Sequence, residues 1–249
     1  MGYYDKAIPG DPSFKSSVAE GLIEATFSTQ EHFSQYQTEC GKDQYVWNPR
    51  YKNIVALLPS ERFVSKVFTK NRWKYMAILD LSINCLFLLL NRNRFRDILY
   101  HPGKNKMHYA RSPAKINDDL DKFDTIDEQM RIRGWTDNIL GNDVVSFHCG
   151  ELAKMQAEFE QNFDRYVVIT FKPCAERGIS SLSANLVDSQ FNLKKTESWD
   201  AHIPVMVPVE PVINSSQVPV EGTLVLNNVN RVDGKPIPKL LPKEKSKSE

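Results

Sequence analysis

"LSINCLFLLLNRNRFRDILYHPG", residues Leu81–Gly103, is the stretch whose reading decides the fold. Ile83, Leu86, Phe87 and Leu90 recur at i, i+3, i+4 and i+7, and Ser82 stands where a helix would be capped. That spacing predicts one helix from about Ile83 to about Tyr100, apolar in its first half and basic in its second. Phe95, Ile98 and Leu99 face the core in this reading, and His101-Pro102-Gly103 stops the helix. A strand over Ile83–Leu90 is the rival, because a short apolar run carries no decisive period of its own.

Upstream, Arg62–Asp80 alternates. Phe63, Ser65 and Val67 point one way, and Val64, Lys66 and Phe68 the other, while Trp73, Tyr75, Ala77 and Leu79 share a face. With Lys70-Asn71 between the two runs, a β-hairpin is predicted over 62–80. Val18, Leu22, Ala25 and Thr29 line one side of a helix over 17–36. Residues 1–15, rich in Pro and Gly, read as a loose leader, and residues 44–59 as short extended pieces around Asn48-Pro49.

Downstream, Ser112-Pro113 starts a helix over 113–123 whose stripe is Ile116, Leu120 and Phe123. Leu152, Met155, Phe159 and Phe163 mark an amphipathic helix over 151–163. Arg165–Phe171 reads as a buried strand, and Ser181–Trp199 as a hairpin turning near Ser189-Gln190. The expectation is an α+β fold in a single domain, 1–203. A mostly antiparallel sheet, from hairpins at 62–80 and 165–199, is covered by about four helices. Pro204, Pro208, Pro211 and Pro219 open a Pro-rich extension, 204–249, with one strand at 223–230 and a charged tail expected to be disordered.

The longest apolar run, Cys85–Leu90, is far shorter than the roughly 18 residues a membrane span needs, so no membrane association is expected. The opening residues hold no apolar leader, and Lys6 stands where a myristoylation signal wants Ser or Thr. Cys40, Cys85, Cys149 and Cys174 form no C-x-x-C pair. Reduced thiols in a cytoplasm are therefore expected.

A net charge of +1 conceals segregation. Residues 50–116 hold 14 Lys/Arg against only Glu61, Asp80 and Asp97, and residues 117–164 hold 4 against 12 acids. Aromatics lie among the cations: Tyr51, Trp73, Tyr75, Phe95, Tyr100 and Tyr109. Cations that displace counterions, interleaved with rings that stack on bases, suit a nucleic-acid footprint. The binding candidates are Arg92, Arg94, Arg96, Lys104, Lys106, His108, Tyr109 and Arg111. The competing reading pairs the basic block with the acidic one across the fold.

No phosphate-binding glycine loop, dinucleotide fingerprint, H-E-x-x-H, G-x-S-x-G or zinc-ribbon spacing occurs. His148-Cys149 with Cys174 is too few ligands for a metal, and these cysteines read as structural. Asp80 with Glu20 or Glu24 is the carboxylate set open to a metal-dependent nuclease, although Asp80 is more simply a turn residue. His101 and His108 are the pair open to metal-free acid–base cleavage of RNA. The pattern thus leans away from an enzyme and implies no cofactor. The expected function is a cytoplasmic binding protein whose basic segment, 50–116, engages an anionic partner, foremost DNA or RNA. A protein-docking module with opposite charge blocks is the alternative, and a metal-dependent nuclease the further one.

Overall fold

The structure is a computed structural model describing residues 2–35, 45–70, 73–126 and 142–204, with the backbone of 231–232 and 235–236. Two compact units divide the chain, Met1–Met206 and Val207–Glu249. In the second, Arg231–Val232 pairs antiparallel with Lys235–Pro236. The strand expected at 223–230 and the charged tail lie outside the described residues.

In the first unit, helices α1 (Pro12–Ser34) and α2 (Trp47–Leu57) precede strands β1 (Phe63–Lys70), β2 (Trp73–Asp80) and β3 (Cys85–Asn91). Helix α3 (Arg92–Tyr100) follows β3 directly, then two 3₁₀ segments, Tyr109–Arg111 and Pro113–Leu120. Helix α4 (Asn142–Phe159) leads to β4 (Arg165–Cys174), β5 (Gly178–Val187) and β6 (Leu193–Ser198). The strands lie in sequence order in one sheet. All neighbours are antiparallel except β3 and β4, which run parallel with Cys85 opposite Arg165 and Asn91 opposite Phe171. The fold is α+β on a mostly antiparallel sheet with helices on both faces.

The helix expected over 83–100 is corrected to a strand followed by a helix. Cys85, Phe87 and Leu89 join the core under α1 and α2, beside Phe14, Leu22 and Ile54. Leu86, Leu88 and Leu90 join the opposite core, with Phe95, Ile98 and Met155. Both faces are covered, so every position from Cys85 to Leu90 is at most 2% exposed and no polar alternation remains. Burying one Leu or Phe is worth about 1.5–3 kcal/mol. A helix here would bury one stripe, whereas the central strand buries all six side chains. Ser82 is not a cap: its N–H and hydroxyl donate to Asp80 Oδ1 at 3.0 and 2.6 Å, closing the β2–β3 turn. The α3 cap is Asn91, whose Oδ1 accepts from Asn93 N–H at 2.9 Å.

Residues 8–15 are not part of a loose leader. Asp11 caps α1 by accepting from Phe14 N–H, with Pro12 in the first turn. Ile8 and Phe14 are buried, and the Phe14 ring lies 4.9 Å from Phe63 and 4.7 Å from Phe87. Nor is the stretch around Asn48-Pro49 extended: Trp47–Leu57 is helical, and Pro49 sits in the first turn of α2, where its missing N–H has no partner to lose. Helices α1 and α2 cross so closely that a Cβ on Gly21 would lie 2.8 Å from the Ile54 Cα. The helix expected over 113–123 is the 3₁₀ segment, kinked at Asn117. There the Asn117 amide donates to the Tyr166 and Val187 carbonyls at 2.8 and 2.7 Å, and its oxygen accepts from Tyr166 N–H at 3.0 Å. Helix α4 begins at Asn142 rather than at Glu151. Both expected hairpins are present, and Asp188 organises the second turn by accepting from the Gln190 and Asn192 N–H groups. Among the described residues, no helix is long and apolar enough to cross a membrane.

Candidate functional site

Strand β3 ends and α3 begins at Asn91, and a cleft of about 540 Å³ opens at that junction. Helix α2 contributes Trp47 and Tyr51 to its wall, and the β1–β2 hairpin contributes Lys70 and Lys74. Arg94 enters from α3, and Met107–Tyr109 from the following loop. The rings are held rigidly. Tyr109 stacks on Tyr75 with centroids 3.9 Å apart, and the Tyr51 hydroxyl donates to the Lys74 carbonyl at 2.9 Å. Burial raises the pKa of Tyr51, and that of Tyr109 to about 12, so both phenols are neutral donors. Among the described residues, no Asp or Glu lines the cleft.

Its cations are not equivalent. Lys70 pairs with the buried Glu151 at 2.9 Å and sits over the Phe147 ring. Arg94 pairs with Asp97 on its own helix, at 2.5 Å. Lys74 is exposed and has no acidic partner among the described residues.

The eight residues singled out from sequence do not share one surface. Arg94, His108 and Tyr109 line the cleft. Arg92 is exposed and donates to Ser181 Oγ at 3.4 Å, and Arg96 lies 5.8 Å from the Tyr100 ring. Lys104 is exposed, 3.9 Å from Asp97. Lys106 is exposed too, and its carbonyl accepts from His148 Nε2 at 2.7 Å. That bond fixes the imidazole tautomer, so Nδ1 accepts from the Ser112 hydroxyl at 2.9 Å. Arg111 is buried, donating to the Gln190 carbonyl at 2.9 Å and lying over Phe191. Sequence reasoning singled out neither Lys70 nor Lys74, although both lie in the basic block. It named Tyr51 only among the aromatics of that block and passed over Trp47, because α2 was read as extended.

His108 supplies no cation. Its Nδ1 accepts from Ala110 N–H at 3.2 Å, and burial, with Arg94 and Arg111 nearby, pushes its pKa down to about 3. It is therefore no proton donor near neutrality, which removes one half of the proposed acid–base pair. His101 is exposed at the end of α3, 3.2 Å from Asp97.

Asp80 sits at the other end of β3, away from the cleft. Arg62 Nε and Nη2 donate to its carboxylate at 3.1 and 2.6 Å, and Arg62 also bonds Asp11. Burial alone would raise the Asp80 pKa, but Arg62 and Ser82 bring it below the usual carboxylate range. Its oxygens are thus committed to the fold. The described residues hold no cluster of three or more His, Cys, Asp or Glu suited to a metal ion. Cys149 is exposed on α4, while Cys174 ends β4.

No curated protein and no solved structure matches the chain. Residues 11–244 do match one family. The chain belongs to the family of unknown function DUF5986.

Proposed function

We propose that the protein binds nucleic acid, DNA or RNA, and holds an unpaired stretch of the strand in the cleft at the end of β3. The observation that carries this reading is the lining itself: Lys70, Lys74 and Arg94 around Trp47, Tyr51 and Tyr109, with no carboxylate among the described residues. Aromatic faces stack on any base, and the cations track the phosphates, so binding of this kind is tolerant of sequence. A volume of about 540 Å³ falls within the range of ligand sites and suits one or two nucleotide units. The described cysteines, Cys85, Cys149 and Cys174, are free thiols, which supports a cytoplasmic setting.

Fluorescence anisotropy with a labelled single-stranded oligonucleotide tests the reading. Three phosphate contacts give a slope of about −2 in log K against log salt. Lys74→Ala is expected to weaken binding about fivefold and to flatten that slope, while Lys104→Ala, outside the cleft, leaves both unchanged. Absence of binding at low salt would sink the proposal.

A further inference from the structure

A second cavity, of about 500 Å³, shares Trp47 and Asn91 with the cleft. Arg50 of α2 lines it, at only 5% exposure. The guanidinium lies in the corner formed by the Trp47 and Phe171 rings, 4.8 Å from each centroid, with the rings inclined at 75° to each other. Those ring faces offer its N–H donors no hydrogen-bond acceptor in the plane of the guanidinium. Its Nε has no hydrogen-bond partner, and no described acidic side chain lies within ion-pair distance of Arg50. Burial is severe enough to push its pKa down to about 10. A buried charge of this kind costs several kcal/mol unless something offsets it, and the described fold offers no counter-ion.

The other polar groups around the cavity are neutral. Asn91 commits its Oδ1 to Asn93 N–H, which leaves its amide N–H₂ as a donor. Gln30 donates one hydrogen to the Ala175 carbonyl at 3.0 Å and has a second to give. No Asp or Glu lines the cavity among the described residues. Three elements around the cavity thus carry donors: Arg50 from α2, Gln30 from α1 and Asn91 from the β3–α3 junction. A planar carboxylate offers its oxygens in one plane. A tetrahedral oxyanion offers them in several directions at once, and its doubly charged form meets the unpaired guanidinium by a charge-assisted, bidentate bond.

We propose that the Arg50 cavity binds the phosphoryl group of a phosphate monoester. Because Trp47 and Asn91 are common to both cavities, a nucleoside attached to that phosphate reaches the aromatic cleft. Two sources share this chemistry, a free mononucleotide and the terminal phosphate of a nucleic-acid strand. The inference stands on Arg50 and does not need the strand-binding reading to be right.

The first measurement is thermal unfolding of the full chain in inorganic phosphate against chloride at equal ionic strength and against acetate. Phosphate is expected to raise Tm saturably, by about 3 °C or more, while chloride and acetate do not. In Arg50→Met, the phosphate-specific rise disappears, and the variant is at least as stable as the parent, since it loses a buried, uncompensated charge. A rise that persists in Arg50→Met, or one that acetate reproduces, overturns the assignment. So does a variant that folds but loses several degrees, because Arg50 would then be a structural element.

A second measurement needs no variant. Cys174 lines the same cavity, and the exposed Cys149 does not. Phosphate should slow iodoacetamide labelling of Cys174 several-fold, read by peptide mass spectrometry, and leave Cys149 unchanged. Equal rates with and without phosphate overturn the proposal.

Adenosine monophosphate and one oligonucleotide, with and without a 5′-phosphate, then identify the source. A tenfold preference for the phosphorylated strand, lost in Arg50→Met, assigns the strand end, whereas tighter binding of the mononucleotide assigns that ligand. If phosphate binds and neither strand does, this inference holds and the strand-binding proposal fails. If strands bind regardless of their 5′ end and of Arg50→Met, and neither phosphate nor adenosine monophosphate binds, strand binding holds and this inference fails.

Discussion

At His108 the imidazole accepts the Ala110 N–H that starts a 3₁₀ turn, so protonation breaks that bond and also places a charge in a partly buried site. The unfolded chain titrates such a group near pH 6.5, the folded chain near 3. Between those values the unfolded state binds a proton that the folded state refuses. The contribution of His108 is therefore complete above about pH 6.5 and is lost as pH falls towards 3. His108→Asn keeps a capping acceptor and removes the titration. Urea unfolding at pH 7 and pH 5 should show the parent losing about 1–2 kcal/mol more than the variant. None of this was legible in the sequence. A His between cations in a basic run looks like part of a binding surface, and only its burial reveals a neutral cap. Arg111 misled in the same way, because its partners, Gln190 and Phe191, lie about eighty residues along the chain.

At the scale of elements, the strand–helix ambiguity of Cys85–Leu90 has a physical origin. A strand in the middle of a sheet covered on both faces has no polar side, and the period of two that normally betrays it is erased. The hairpins were legible because their outer positions remain wet: Val67 on β1, for instance, is half-exposed. Helix α2 was missed because Asn48-Pro49 resembles a break, yet a proline in the first turn costs a helix nothing. Its packing on α1 depends on the missing side chain of Gly21. Gly21→Ala should destabilise the fold by about 1–3 kcal/mol in urea unfolding, as overpacking does, although alanine is the better helix former. Because α2 carries Tyr51, Trp47 and Arg50, that variant is also expected to bind oligonucleotide more weakly under conditions where it remains folded. At Gly178, φ is +77° and a Cβ would meet the Ile23 Cα at 2.8 Å, so the β4–β5 turn is tied to α1 by the same device.

For the molecule as a whole, the question left by the charge map was whether the basic block meets a ligand or its own neighbours. Part of it meets its own neighbours. Lys70 of the basic block pairs with Glu151 of the acidic one, while Arg62 is used by Asp11 and Asp80. Lys74 and Arg50 keep no acidic partner among the described residues, and they mark the two adjoining cavities. The sheet makes this arrangement depend on the join between its halves. Strands β1–β3 and β4–β6 are each local meanders, but β3 reaches β4 only across the long segment between Asn91 and Arg165. Local hairpins close quickly, and pairings between distant residues come late. Arg50 and Trp47 belong to the first half, whereas Phe171 and Cys174 belong to the second. A chain emerging from synthesis thus carries an arginine whose second ring and cavity wall have not yet been made. Refolding followed by stopped flow should show oligonucleotide binding returning with the slowest phase, after most of the secondary structure. The protein would then gain its grip on an anion only once its two halves have zipped together, making ligand capture a signature of the completed fold.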